Sequence, residues 1–144
     1  MLAEDEPDPD DVKTVGRGLA AFNRQHAPED DYRPLALFLR DPDRTIVGGL
    51  VGETFWGWLH VDLLWIREDL RGQGHGDRLL TAAEWEAVRR GCLHAFLETH
   101  SFQAPAFYRK RGYRPFGELP DFPAGHTRHF LSKRLPAKPT PEQR

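Results

Sequence analysis

Three glycines at alternate positions, Gly72, Gly74 and Gly76, follow an apolar run, Leu63-Leu64-Trp65-Ile66, and lead into Asp77-Arg78-Leu79-Leu80. The order is that of a buried strand, a short connection, a glycine turn and the first turn of a helix. Glycine has no Cβ, so the turn can tighten and bring successive N–H groups against a ligand. The helix behind it adds unpaired N–H groups and the positive end of its dipole. A phosphate or pyrophosphate fits such a spot. A Walker-type loop is excluded, because it needs Gly-Lys-Ser/Thr where Gly76 is followed by Asp77 and Arg78. A dinucleotide fingerprint is excluded too, since its third glycine or alanine would fall at Asp77 and no βαβ unit surrounds the segment.

The rest of the chain bounds the answer. At 144 residues it has the length of one domain, able to bury about two-thirds of its unfolded surface. Its formal charge is -2, so nothing announces a nucleic-acid or anionic-membrane partner. Cys92 stands alone and cannot form an internal disulfide, which points to a reducing compartment. With no apolar run of about 18 residues and no secretory leader, a cytoplasmic protein is expected. Residues 1–11, acidic and proline-containing, are expected to be a flexible tail, and residues 136–144, with Pro136, Pro139 and Pro141, a second one. The domain proper is then 12–135.

Within it, Asp10 or Asp11 can cap a helix carrying Val12, Val15, Leu19 and Phe22. Leu35–Leu39, Thr45–Glu53 and Trp58–Ile66 have strand patterns, the last two joined by an aromatic loop, Phe55-Trp56-Gly57. A helix over about 75–90 presents Gly76, Leu79, Leu80, Ala83 and Ala87, a narrow stripe suited to close packing on a sheet. Trp85 falls on its opposite side, a half-covered residue or a homodimer contact. Leu93–Leu97 is a further strand, entered by Cys92, which is expected to be buried and inert. Phe116 and Thr127–Leu135 suggest the last two, joined by the loop 120–125.

The spacing Arg71-x-x-Gly74-x-Gly76 resembles the pyrophosphate-binding loop of the GNAT superfamily, the acyl-CoA-dependent N-acyltransferases. A second segment, Ala104-Pro105-Ala106-Phe107-Tyr108-Arg109-Lys110-Arg111-Gly112-Tyr113, is similar to that family's Ala-x-x-Phe-Tyr-x-x-x-Gly-Phe/Tyr element. The two occur in the family's order, within elements that cover roughly residues 36–135. The resemblance implies an α/β (α+β) fold whose mixed, mostly antiparallel sheet is splayed between central strands and flanked by helices. It implies acetyl-CoA as co-substrate and no metal. The pyrophosphate is then expected on Arg71, Gly72, Gln73, Gly74, His75 and Gly76, and the pantetheine arm along the backbone at Leu64 and Ile66. Gln103 stands where relatives often carry an asparagine that contacts the pantetheine amide. The His75 ring is expected to be a bystander.

Acyl transfer to an amine needs a neutral nitrogen, a polarised thioester carbonyl and a proton for the departing thiolate. Tyr108 matches the family's helix tyrosine beside the cofactor sulfur, and a phenol suits donation to a thiolate. The alternative is that it packs beside Phe107. The Leu64 N–H can polarise the carbonyl. For the base, Asp62 alternates onto the face of Leu64 and Ile66, while Glu98 and His100 share a face of the neighbouring strand. Each of His60, His100 and His126, taken alone, has the pattern of an ordinary core or surface residue. Phe55, Trp56, Trp58 and Phe122, with Asp62, Glu98 and Asp121, outline an acceptor pocket for a small cationic amine, or simply fill the outer face of the sheet. An N-acetyltransferase acting on a primary amine is the expectation; a catalytically silent acyl-CoA sensor is the other.

Overall fold

The computed structural model describes residues 2–137 and divides into two compact units at Asp30/Asp31. The first unit holds helix α1 (Pro9–His26). The Asp8 carboxylate caps it by accepting the Asp10 N–H at 2.8 Å, and Pro9 takes the first helical position, where no N–H is needed. The expected cap at Asp10 or Asp11 is thus corrected: helix begins inside the stretch expected to be tail. The proline-rich stretch expected as a second tail lies almost wholly outside the described residues.

The second unit is built on strands β1 (Arg33–Arg40), β2 (Ile46–Phe55), β3 (Trp58–Ile66), β4 (His94–His100), β5 (Arg114–Pro120) and β6 (Thr127–Arg134). Helices α2 (His75–Arg89) and α3 (Pro105–Arg109) complete it. The sheet runs β1-β2-β3-β4-β6-β5, and every neighbouring pair is antiparallel except β3–β4. Trp56 and Gly57, at φ 46° and 77°, close the β2–β3 hairpin in the left-handed turn that matches strand twist.

One sheet face carries Leu35, Leu50, Leu59, Val61, Leu97 and Leu131, all buried with Leu80, Ala83, Ala87 and Val88 of α2. Each such leucine contributes about 1.5–3 kcal/mol by leaving water, and the small alanines let the helix lie close. Arg90, just past α2, donates to the Pro34 carbonyl and the Thr54 hydroxyl, fastening that helix end to β1 and β2. Trp85 is 56% exposed, on the outer side as expected.

Two irregularities position the site. Between β2 and β3 the register slips at Val51/Gly52, whose partners are Leu63 and Val61, so Asp62 is a bulge residue with no partner. Between β3 and β4 the parallel pairing stops at Val61–Leu97. Beyond that pair the sheet splays, with Asp62–Ile66 on one side of a gap and Glu98–His100 on the other.

Candidate active site

A cleft of about 510 Å³ opens beside the gap. Leu64 and Ile66 of β3 line one wall, Ala104, Phe107 and Tyr108 the other, and Arg71, Gly72, Gly74, His75 and Gly76 its mouth. Both segments that resemble the acyltransferase motifs therefore border a single cavity. Gly74 is the N-cap of α2 at φ 81°, and Gly72 sits at φ 73° with nothing within 4 Å of where a Cβ would stand. This open cradle, with the first N–H groups of α2 behind it, fits a pyrophosphate. Arg71 is held by its Nε–H donating to the Ile66 carbonyl at 2.9 Å, which joins the turn to the end of β3.

Gln73 and Gln103 do not join this cavity. Gln73 donates its side-chain amide to the Asp69 carbonyl, bracing the turn from outside. The Gln103 carbonyl accepts the His100 N–H at 2.9 Å and the Thr99 hydroxyl at 3.3 Å. That oxygen closes the bend after β4, and Gln103 does not line the cleft. The His75 ring pairs with Arg78 across 2.7 Å, leaving its backbone at the cleft.

Arg111 occupies one of the unspecified positions of the second motif, yet it lines the cleft. Its guanidinium lies 3.7 Å from the Phe107 ring centroid, donates to the Phe107 carbonyl and pairs with Asp77 of α2. Its three-residue distance from Tyr108, one turn on, is the signal that could have found it. Tyr108 is half-buried, and that burial raises its phenol above the ordinary value, so it stays protonated and able to donate. Behind it Tyr113 is buried, with its hydroxyl donating to Glu84 of α2 at 2.9 Å; Lys133 of β6 donates to the same carboxylate.

The other face of the sheet presents the candidate bases. Asp62 is exposed in its bulge. Simple alternation fails across it, because Val61 and Leu64, three residues apart, pair with Gly52 and Leu50 of the core-facing set. The expected shared face with Leu64 and Ile66 is thereby overturned. The His60 ring lies between two carboxylates: Nε2 is 2.9 Å from Glu98 and Nδ1 is 2.8 Å from Glu53. The imidazole stacks on Phe96 at 4.5 Å. Burial pulls His60 down, but its hydrogen bonds to Glu53 and Glu98 outweigh that, and its pKa stands above the ordinary value. The aromatic residues expected to form one pocket fall into two groups. Phe55 and Trp58 meet Phe96, while Phe122 stacks on His100 beneath Arg128. Among the described residues no group of His, Cys, Asp and Glu is arranged to hold a metal ion, and no helix is long and apolar enough to cross a membrane. Cys92 is buried, and burial pushes its thiol up, as befits an inert residue.

Comparison with known proteins agrees with this geometry. The acetyltransferase (GNAT) family model matches residues 3–113. The chain is 50% identical over 91 residues to blasticidin-S acetyltransferase of Streptomyces morookaense, a match covering 62% of this chain and 67% of that one. It is 38% identical to an acetyltransferase of Agrobacterium fabrum over 94% of this chain and 98% of the relative. A crystal structure of a putative acetyltransferase from Agrobacterium tumefaciens superposes with a TM-score of 0.88 at 36% identity, covering 94% and 98% of the two chains. The relatives are described as acetyltransferases, and nothing favours a catalytically silent module. The chain belongs to the GNAT acetyltransferases, enzymes that take their acetyl group from acetyl-CoA.

Proposed function

We propose that this enzyme acetylates a primary amine on a small cationic acceptor, by direct attack within a ternary complex. The observation that carries the reading is the gap beyond Val61–Leu97. It joins the cradle at Arg71–Gly76 to a sheet face bearing carboxylates and aromatic rings. The pyrophosphate is assigned to the N–H groups of that turn and to Arg71, with Arg111 as a further cation at the mouth. Backbone groups of Leu64 and Ile66 pair with the pantetheine arm, and the Leu64 N–H polarises the thioester carbonyl.

Tyr108 supplies the proton to the departing thiolate. Glu98 receives the acceptor's ammonium on the opposite face, and Asp62, at the rim, adds negative charge that attracts it. Freeing an alkylamine of its proton at pH 7 costs about 4.6 kcal/mol, so a modest base suffices. Faces such as those of Trp58 and Phe96 favour a cation by about 0.5–2 kcal/mol. One relative is named for blasticidin-S, which makes that compound the first acceptor to try.

The test is release of the CoA thiol from acetyl-CoA in the presence of blasticidin-S, polyamines, amino acids, aminoglycosides and lysine peptides. Amine-dependent release with a small cationic compound supports the reading. Preference for a neutral, anionic or peptide acceptor overturns it.

A further inference from the structure

We infer that Glu53, His60 and Glu98 form a proton relay across three adjacent strands, with His60 as the group that finally takes the acceptor's proton. The inference rests on the reading of this face as the acceptor side. It adds a residue that is unremarkable by itself, and a second carboxylate that no motif marks.

The geometry is linear rather than convergent. Glu53 of β2 meets Nδ1 and Glu98 of β4 meets Nε2, so the two carboxylates lie at opposite ends of one ring. The three side chains are only 16%, 23% and 18% exposed for His60, Glu53 and Glu98. Phe96 covers one face of the imidazole. In the tautomer of neutral His60 whose Nδ1–H donates to Glu53, the bare Nε2 faces a Glu98 oxygen across 2.9 Å. Two lone pairs opposed at that distance are relieved by taking up one proton, which makes the unit a base. His60 stands one residue before the last β3–β4 pair and Glu98 one residue after it, so the relay sits at the apex of the gap.

The surroundings set its strength. On the same face, β4 adds His94 and His100, β6 adds Arg128 and Arg134 opposite them, and β5 adds Arg114 opposite Ser132. Asp62 lies in the bulge of β3, and β1 offers only Pro34 beside Glu53. The carboxylates in direct contact outweigh burial and the more distant arginines, and His60 is held above its ordinary pKa.

The step balances. The ammonium gives one proton to a Glu98 oxygen, and Glu98 passes it on to the bare Nε2 of His60, leaving a neutral amine, an ionised Glu98 and an imidazolium. The amine nitrogen then bonds to the carbonyl carbon and the C–S bond breaks. Tyr108 gives its proton to the thiolate and regains one from the new amide nitrogen, and His60 returns its proton to water.

The experiment measures kcat/KM against pH for wild type, His60→Gln and Glu53→Gln, with NMR titration of the His60 ring in the cofactor-free enzyme. Wild type is expected to show an acid limb matching the His60 titration. His60→Gln is expected to lose about 100-fold at neutral pH, and to regain most of it with an amine already neutral at the assay pH. Glu53→Gln removes a negative partner of the imidazolium, so both the limb and the ring titration are expected to move to lower pH. A limb unchanged in His60→Gln, or unmoved in Glu53→Gln, overturns the relay while amine acetylation by wild type still stands. If His60→Gln does not fold, Glu53→Gln and the ring titration decide. Absence of amine acetylation by wild type would instead overturn the functional reading beneath it.

Discussion

Gly52 of β2 faces the backbone of His60 so closely that a Cβ there would overlap the His60 carbonyl oxygen. The contact sits at the register slip, where Gly52 pairs with Val61 and its neighbour Val51 pairs with Leu63. Because the obstacle is backbone, nothing flexible can yield. Gly52→Ala is expected to cost about 1–3 kcal/mol in denaturant unfolding. Turnover is expected to fall by more than the population of unfolded protein explains, since β3 must move and carries His60 away from Glu98.

Gly74 caps α2 at φ 81°, where a β-branched residue is strained by about 1–3 kcal/mol. Gly74→Val is expected to remove CoA binding in calorimetry while circular dichroism shows a folded protein. Unchanged affinity in a folded variant would remove the turn from the cofactor site.

Tyr108→Phe keeps the packing against Phe107 and Tyr113 and deletes only the hydroxyl. A drop in kcat of roughly 100-fold, with CoA affinity little changed, is expected of a group acting in the transition state. Turnover at the wild-type level would leave Tyr108 a packing residue.

Two groups shape stability against pH with opposite signs. Glu86, accepting from Arg89 and Arg90, is lowered from 4.5 to about 2. Its contribution is complete above 4.5 and is lost as pH falls towards 2, so wild type is expected to lose stability over that window more steeply than Glu86→Gln. His60 is raised from 6.5, so its contribution is complete below 6.5 and fades as pH rises through the folded value. Equilibrium unfolding across both windows, with Glu86→Gln and His60→Gln, checks each slope.

What was legible in the chain follows how far apart the cooperating residues lie. Arg71, Gly74 and Gly76 work through local backbone geometry, as does the Phe107-Tyr108 turn, so spacing alone exposes them. Strand positions were legible by alternation until the bulge broke it, which is why Asp62 was assigned a face that the register denies. Glu53, His60 and Glu98 are separated by 7 and 38 residues and meet only through the pairing of three strands. No local pattern announces such a meeting. Gln103 shows the converse: its place in a motif suggested a ligand contact, while its carbonyl is spent on the bend it sits in.

The short β3–β4 pairing has a consequence for the protein's company as well as its chemistry. The outer edges of the sheet, β1 and β5, carry Pro34, Pro115 and Pro120, which cannot donate to an added strand. The gap creates two inner edges, along Asp62–Ile66 and Glu98–His100, and neither contains a proline. There the defence against a foreign strand rests on charge, at Asp62 and Glu98, and on whatever fills the gap. The cofactor-free enzyme is therefore expected to associate with neighbouring chains more readily than the enzyme saturated with CoA, which light scattering with and without CoA checks.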